Sequence, residues 1–338
     1  HALTALAALS PQRASSLLET FTSHASPFAR SYGAQAAAEV GAEEFLLTLS
    51  LDPVPNVRTA AVRGLFQLRG HEMDEMLRAQ LTQSDPQLLQ TVAGLLRDTP
   101  EPQEAVSPLL EAFHMISGEG KETYRDPRMG ILARIAEVGD AGIAEDLEPY
   151  LSDYDPAIAE RVASLLGEWT GQEVLADPKP IRHTPVPTPA ELRELAETRF
   201  FLVLEGGGEI ELRLFPFLAP TNAARFGRLS RSGYFDGLTF HRVVPNFVLQ
   251  GGSPAANEMA GDGPYTRDEI GLQSNWRGTV GISTRGRDTG DGQIFINLVD
   301  NLRLDHNYTI FAEVAAGLDV IDQILEGQII QGVRVETP

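Results

Sequence analysis

Tyr234-Phe235-Asp236-Gly237-Leu238-Thr239-Phe240-His241-Arg242-Val243-Val244-Pro245-Asn246-Phe247-Val248-Leu249-Gln250-Gly251-Gly252 is the stretch that decides the fold. Two short apolar runs, Thr239 to Val244 and Phe247 to Gly251, read as strands between Gly-containing turns. Side chains alternate across a strand, so Arg242 and Val244 share one face while His241 and Val243 take the other. Arg242 can therefore enter a pocket that His241 cannot share. Taken singly, Arg242 would read as a solvated edge residue and Phe247 as core; their meaning comes from the company they keep.

Upstream, Phe200 to Leu204 and Glu209 to Leu214 flank Glu205-Gly206-Gly207-Gly208, a hairpin signal with alternating polarity on the return strand. That glycine run lacks the Lys and the following helix of a phosphate loop. Thr221 can N-cap a helix through Leu229, and a second amphipathic helix spans Gly317 to Leu325. Further short strands are expected at Thr279 to Thr284, Gln293 to Leu298 and Thr309 to Val314. Many short strands with few helices predict a closed β-barrel.

Two more stretches extend the pattern. Arg277-Gly278-Thr279-Val280-Gly281-Ile282-Ser283-Thr284 leads to Gln293-Ile294-Phe295-Ile296-Asn297, and Leu304-Asp305-His306-Asn307-Tyr308-Thr309-Ile310-Phe311-Ala312-Glu313-Val314 follows. In this order, and with the Phe-His-Arg, Phe and Gln-Gly-Gly spacing of the first stretch, they resemble the cyclophilin-type peptidyl-prolyl isomerases. The resemblance implies a closed barrel with two capping helices and Arg242 as the catalytic centre. It implies that Phe247, Phe295 and Leu304 form an apolar socket for a proline ring, with Val248 beside them. Gln250 would position Arg242 or the substrate carbonyl, and Thr284 would offer backbone hydrogen bonds to the peptide. Ile282, Ser283 and Gln293 would line the adjoining groove for the residues before proline, and Tyr308 would close the pocket with a polar-tipped ring. Arg303 stands where many eukaryotic members have Trp, which implies weak cyclosporin binding. The charged loop from Arg285 to Gly292 implies an altered substrate preference.

The chemistry asks for these residue types. Rotation about an Xaa–Pro bond faces a barrier of roughly 18–20 kcal/mol because the amide is resonance-stabilised. No covalent nucleophile and no cofactor is required. A catalyst must favour the twisted amide, whose prolyl nitrogen becomes pyramidal and gains a lone pair, over either planar form. A guanidinium suits the task because it stays charged and presents a fixed fork of donors. His241 reads as structural rather than acid–base. Asp305 and His306 belong to a turn with no third ligand, so no metal site is expected.

Residues 1–175 follow a different grammar. Leu46, Leu47, Leu49, Val57, Ala61, Leu65 and Leu68 fall on one helical stripe. Pro27, Pro55, Pro86, Pro127 and Pro156, most of them preceded by Asp or Ser, recur about every 30 residues, the period of a helical repeat. Leu51-Asp52-Pro53-Val54-Pro55-Asn56-Val57-Arg58-Thr59-Ala60-Ala61-Val62-Arg63-Gly64-Leu65 is the best unit and resembles a HEAT repeat of the short bacterial kind. The expected architecture is thus a HEAT-like all-α solenoid over 1–175, a Pro-rich linker and short helix over 176–197, and a cyclophilin-like barrel over 198–338.

Bulk properties bound the rest. A chain of 338 residues is too long for one ordinary core. A net charge of −20 argues against a nucleic-acid partner. Zero cysteines exclude disulfides, thiol nucleophiles and thiolate metal sites, and suit an exported protein, so a bacterial envelope or periplasm is slightly favoured over cytoplasm. No apolar run is long enough for a transmembrane helix. The chain opens on His1 and reads as helix from Ala2, so we expect a processed or trimmed form, with any signal or anchor upstream. The expected function is isomerisation of Xaa–Pro bonds in client proteins, in a folding or chaperone role, with a protein partner docked on the solenoid. The alternative is a non-catalytic scaffold that grips proline-containing segments.

Overall fold

Among residues 1–180 and 185–337, which the computed structural model describes, every regular element before residue 181 is helical and every strand lies after residue 198. The chain divides into two units, His1–Ile181 and Arg182–Pro338.

In the first unit the prolines open helices, as their missing N–H allows. Pro27–Val40, Pro55–Arg69, Pro86–Leu95 and Pro156–Thr170 all begin on Pro, while Pro127 sits in the first turn of Arg125–Val138. Asp85 and Asp155 cap their helices by accepting the amides of Leu88 at 2.8 Å and Ala157 at 3.0 Å. Ser26 gives no side-chain cap. Asp52 instead accepts the Val54 amide at 2.8 Å and binds Arg30 through both oxygens, at 2.6 and 2.9 Å. Leu46, Leu49, Val57, Ala61 and Leu65 are buried, whereas Leu47 and Leu68 lie part-exposed at the edge of the stripe. Gly64 permits close helix approach, since a Cβ there would lie 2.9 Å from the Ala38 Cβ and from a Leu46 methyl. This all-helical region is consistent with helical repeats.

The second unit is a nearly closed antiparallel barrel of nine strands. They are β1 (Arg199–Leu204), β2 (Glu209–Leu214), β3 (Thr239–Phe240), β4 (Arg242–Val244), β5 (Val248–Gly251), β6 (Thr279–Ile282), β7 (Ile294–Asn297), β8 (Ile310–Ala316) and β9 (Gln328–Glu336). Their spatial order is β3-β9-β1-β2-β8-β6-β7-β5-β4. A bridge from Thr239 to Ser253 and the Gly252 N–H donated to the Thr239 carbonyl join β3 back to the end of β5. The strand expected over Thr239–Val244 breaks at His241, where the chain leaves one sheet neighbour for another.

Three elements differ from expectation. Thr221 is not the N-cap of its helix: with Pro220 fixing the first turn, the helix runs Pro220–Arg231 from Ala219. Its orphan amides are taken by Glu269, whose carboxylate accepts Thr221 N and Asn222 N at 2.9 Å each and Asn222 Nδ2 at 2.7 Å. The C-terminal helix shrinks to Leu318–Ile321. The short helix Pro189–Glu197 belongs to the barrel rather than to a linker: Leu195 enters the barrel core, and Glu191 and Glu194 pair with Arg228 and Arg231.

Candidate active site

The turn between β4 and β5 places the first site residue. Phe247 N donates to the Val244 carbonyl at 3.0 Å, and Asn246 has φ 58°. Proline followed by an Asn in the left-handed region matches a type II turn. The Phe247 carbonyl is then held by Leu298 N and by Asn301 Nδ2, both at 2.9 Å.

Strand register assembles the remainder. Arg242 lies directly opposite Gln250 across β4 and β5, Gln250 opposite Phe295 across β5 and β7, and Phe295 opposite Gly281 across β7 and β6. Glycine at 281 is required by packing: a Cβ there would stand 2.3 Å from the Phe295 ring. Val248, Phe295 and Ile310 form a small apolar cluster apart from the barrel core, with Phe215, Phe247, Leu304 and Tyr308 packed on it. Tyr308 meets Phe295 edge-on, ring centroids 5.6 Å apart.

The result is a pocket of about 230 Å³ with an apolar floor and a polar wall. Arg242, Phe247, Val248, Gln250, Ser283, Thr284, Gln293, Phe295, Leu304 and Tyr308 all line it. Arg242 Nη1 donates to Gln250 Oε1 at 3.3 Å, Gln250 Nε2 donates to Gln293 Oε1 at 3.3 Å, and Gln293 Nε2 donates to the Ala260 carbonyl at 3.0 Å. Arg242 remains 40% exposed, so its donors can still meet a ligand, whereas Gln250 and Gln293 are buried.

Ile282 is not brought to the pocket. It shares its strand face with Val280 and packs into the barrel core, as the period of two requires once Gly281 faces Phe295. His241 is buried on the far side from Arg242's pocket, and burial pushes its imidazole down to about 4, so it is neutral at physiological pH and no acid–base group. His306, at φ 61°, lies in the turn expected of it. No cluster of three potential metal ligands occurs among the described residues.

Three charged residues stand at the pocket besides the expected site set, and of these only Glu258 was unannounced by the sequence. Glu258 lies with its carboxylate 3.6 Å from Arg242 Nε, and Arg285 joins the pocket wall. Arg303 stacks over Phe247 with its guanidinium carbon 4.3 Å from the ring centroid, while Arg242 lies 6.0 Å from the same ring. Glu258 comes from the irregular stretch between β5 and β6, where no periodicity announces which side chains turn inward.

Comparison with known proteins addresses the barrel. The family model described as cyclophilin type peptidyl-prolyl cis-trans isomerase/CLD matches residues 200–337. A peptidyl-prolyl cis-trans isomerase from Helicobacter pylori is 38% identical over 144 residues, 41% of this chain and 88% of that protein. Peptidyl-prolyl cis-trans isomerase B from Bacillus subtilis is 38% identical over 143 residues, 41% of this chain and 99% of that protein. A Cryptosporidium parvum cyclophilin type isomerase, solved in the presence of the dipeptide Ala-Pro, is 23% identical, with a TM-score of 0.39 over 41% of this chain and 99% of that one.

Proposed function

Because the chain belongs to the cyclophilin-type peptidyl-prolyl cis-trans isomerase family, we propose that Arg242 performs the isomerisation in the pocket just described. The enzyme class follows from the family; the assignment of roles within it is ours. The observation that carries it is a pocket in which a part-exposed guanidinium, anchored by Gln250, overlooks an apolar socket of Phe247, Phe295 and Leu304.

Each residue has a physical task. The socket takes the proline ring and gains from burying it. Arg242 donates toward the prolyl nitrogen as it becomes pyramidal, so its bond strengthens in the twisted state and not in the planar ones. Gln250 holds the guanidinium from one side and Glu258 from the other, which limits the reorganisation needed during rotation. Ser283 and Thr284, on the chain just after β6, offer polar groups to the peptide before proline, with Gln293 behind them. Tyr308 packs edge-on to Phe295 and keeps the socket dry.

The helical unit serves in this reading as a HEAT-like docking surface for protein clients. Tethering raises the effective concentration of a docked client's proline segments at the barrel. The periodic Pro-led helices support it.

Exchange NMR on a short Xaa–Pro peptide tests the assignment. Wild-type chain should catalyse cis–trans exchange, and Arg242→Ala should lower kcat/KM by about 100-fold or more, the scale of losing a charged donor aimed at a transition state. Peptide that binds without exchange, or exchange indifferent to Arg242→Ala, would favour the non-catalytic scaffold.

A further inference from the structure

The hydrogen-bond chain from Arg242 does not stop at Gln293; it ends on a carboxylate that the mechanism above leaves unused. Asp291, in the loop between β6 and β7, is 1% exposed. Its Oδ1 accepts the Gln293 amide N–H at 2.8 Å and its Oδ2 accepts from Gln293 Nε2 at 3.3 Å. Gln293 Nε2 also donates to the carbonyls of Ala260 at 3.0 Å and Glu258 at 3.3 Å. With acceptors on that side, Gln293 must turn its Oε1 toward Gln250. Gln250 then presents its Nε2 to Gln293 and its Oε1 to Arg242. The polarity of both side-chain amides therefore runs outward from the acceptor at Asp291 to the donor at Arg242.

A second route starts from the same oxygen. Arg285 Nη1 lies 3.6 Å from Asp291 Oδ2 and donates to the Glu258 carbonyl. The Glu258 carboxylate in turn meets Arg242 Nε. The loop is fitted closely here, since a Cβ on Gly261 would lie 2.3 Å from Asp291 Oδ2.

We propose that Asp291 is a positioning residue for isomerisation: its ionised carboxylate joins the Ala260 and Glu258 carbonyls in holding the direction of the Gln293 and Gln250 amides and steadies the Arg285–Glu258 segment, and its protonation loosens the hold on Arg242. The inference rests on the isomerase reading above. Burial pushes the Asp291 carboxyl up to about 6; Asp262 pushes the same way, while Arg285, the Gln293 amide and Arg225 oppose. Asp262 lies across the loop, accepts Gly292 N at 2.9 Å and pairs with Arg225. Tyr234 is a further titratable neighbour, its hydroxyl donating to the Gly252 carbonyl, and Tyr265 lies against Arg285.

The sign of linkage separates this from acid unfolding. A carboxyl raised from 3.8 to about 6 favours the fold when protonated, so its contribution to stability is full below 3.8 and is lost as pH rises through about 6. Lowering pH from 7.5 to 5 thus strengthens the fold at this group while weakening positioning.

Exchange NMR on the full chain with an Ala-Pro peptide, run from pH 5 to 7.5 beside circular dichroism, reads it out. The expected result is a kcat/KM that falls about tenfold toward pH 5 with a midpoint near 6, carried by kcat, with the fold intact; small misplacements of a catalytic group cost this much. Asp291→Asn should abolish the dependence and hold activity about tenfold down. If that variant fails to fold, the wild-type Gln293 side-chain amide resonance decides, because it must shift with the same midpoint as activity. A catalysed but flat profile, an unmoved Gln293 resonance, or an Asp291→Asn profile identical to wild type overturns the inference alone. Absence of catalysed exchange at every pH removes the isomerase reading and this inference with it.

Discussion

At residue 281 a single hydrogen atom stands where any other amino acid would put a carbon 2.3 Å from the Phe295 ring. Contacts that short do not persist, so Gly281→Ala must displace Phe295, and the open direction is the pocket. The expected outcome is a kcat/KM lowered about tenfold, since positioning errors of this size are costly near a reacting group. Overpacking should destabilise the barrel by about 1–3 kcal/mol, read from denaturant melts. Activity retained at wild-type level would mean that Phe295 is not the socket floor. His241 makes a second prediction at this scale. Burial lowers its imidazole from 6.5 to about 4, so the neutral ring's contribution to stability is present above 6.5 and lost as pH falls through 4. The span corresponds to about 3 kcal/mol at most. Stability measured against pH should therefore fall less steeply below 6.5 in His241→Gln than in wild type, and parallel slopes would refute it.

Elements were legible where local sequence controls them. The hairpin of β1 and β2, the strands at Val248, Thr279, Ile294 and Ile310, and the Pro-led helices all carry their own punctuation. What escaped was set from afar. β9 (Gln328–Glu336) mixes Ile329, Ile330, Val333 and Val335 with polar residues in a broken alternation, and it becomes a strand because β1 and β3 flank it. Ile282 was expected in the groove, yet the Gly281–Phe295 contact fixes the strand's facing and sends Ile282 to the core. The Pro220–Arg231 helix shows the same limit, because its cap, Glu269, lies 47 residues beyond Asn222. Three N–H groups depend on that carboxylate, so Glu269→Ala should cost about 1–2 kcal/mol, the worth of a strong N-cap. The helix packs Phe226 against Phe200, Phe235 and Phe311. Loosening it should show as faster amide exchange over 220–231, and unchanged protection there would rule out Glu269 as the cap.

Across the whole molecule, each unit closes its own core. The barrel core draws on residues from Leu195 to Ile330, and Leu3 to Leu65 form a separate cluster in the helical unit. The helical unit also buries charge. Arg128 is fully enclosed, bonded to Asp153 and to Ser117 Oγ at 2.9 Å, and stacked 4.6 Å from the Tyr154 ring centroid. Removing one partner of such a pair strands the other without water, which costs roughly 3–5 kcal/mol. Arg128→Ala should therefore lower the unfolding midpoint of the helical unit sharply, seen as loss of helical ellipticity at reduced temperature. Short-peptide isomerisation should be untouched, because every residue that lines the pocket and every support named for it comes from the barrel unit. Client-protein refolding is the discriminating measurement: at a temperature where only the helical unit has melted, acceleration should drop while peptide turnover persists. If both activities fall together, the units are energetically coupled; if neither falls, the helical unit does not dock clients.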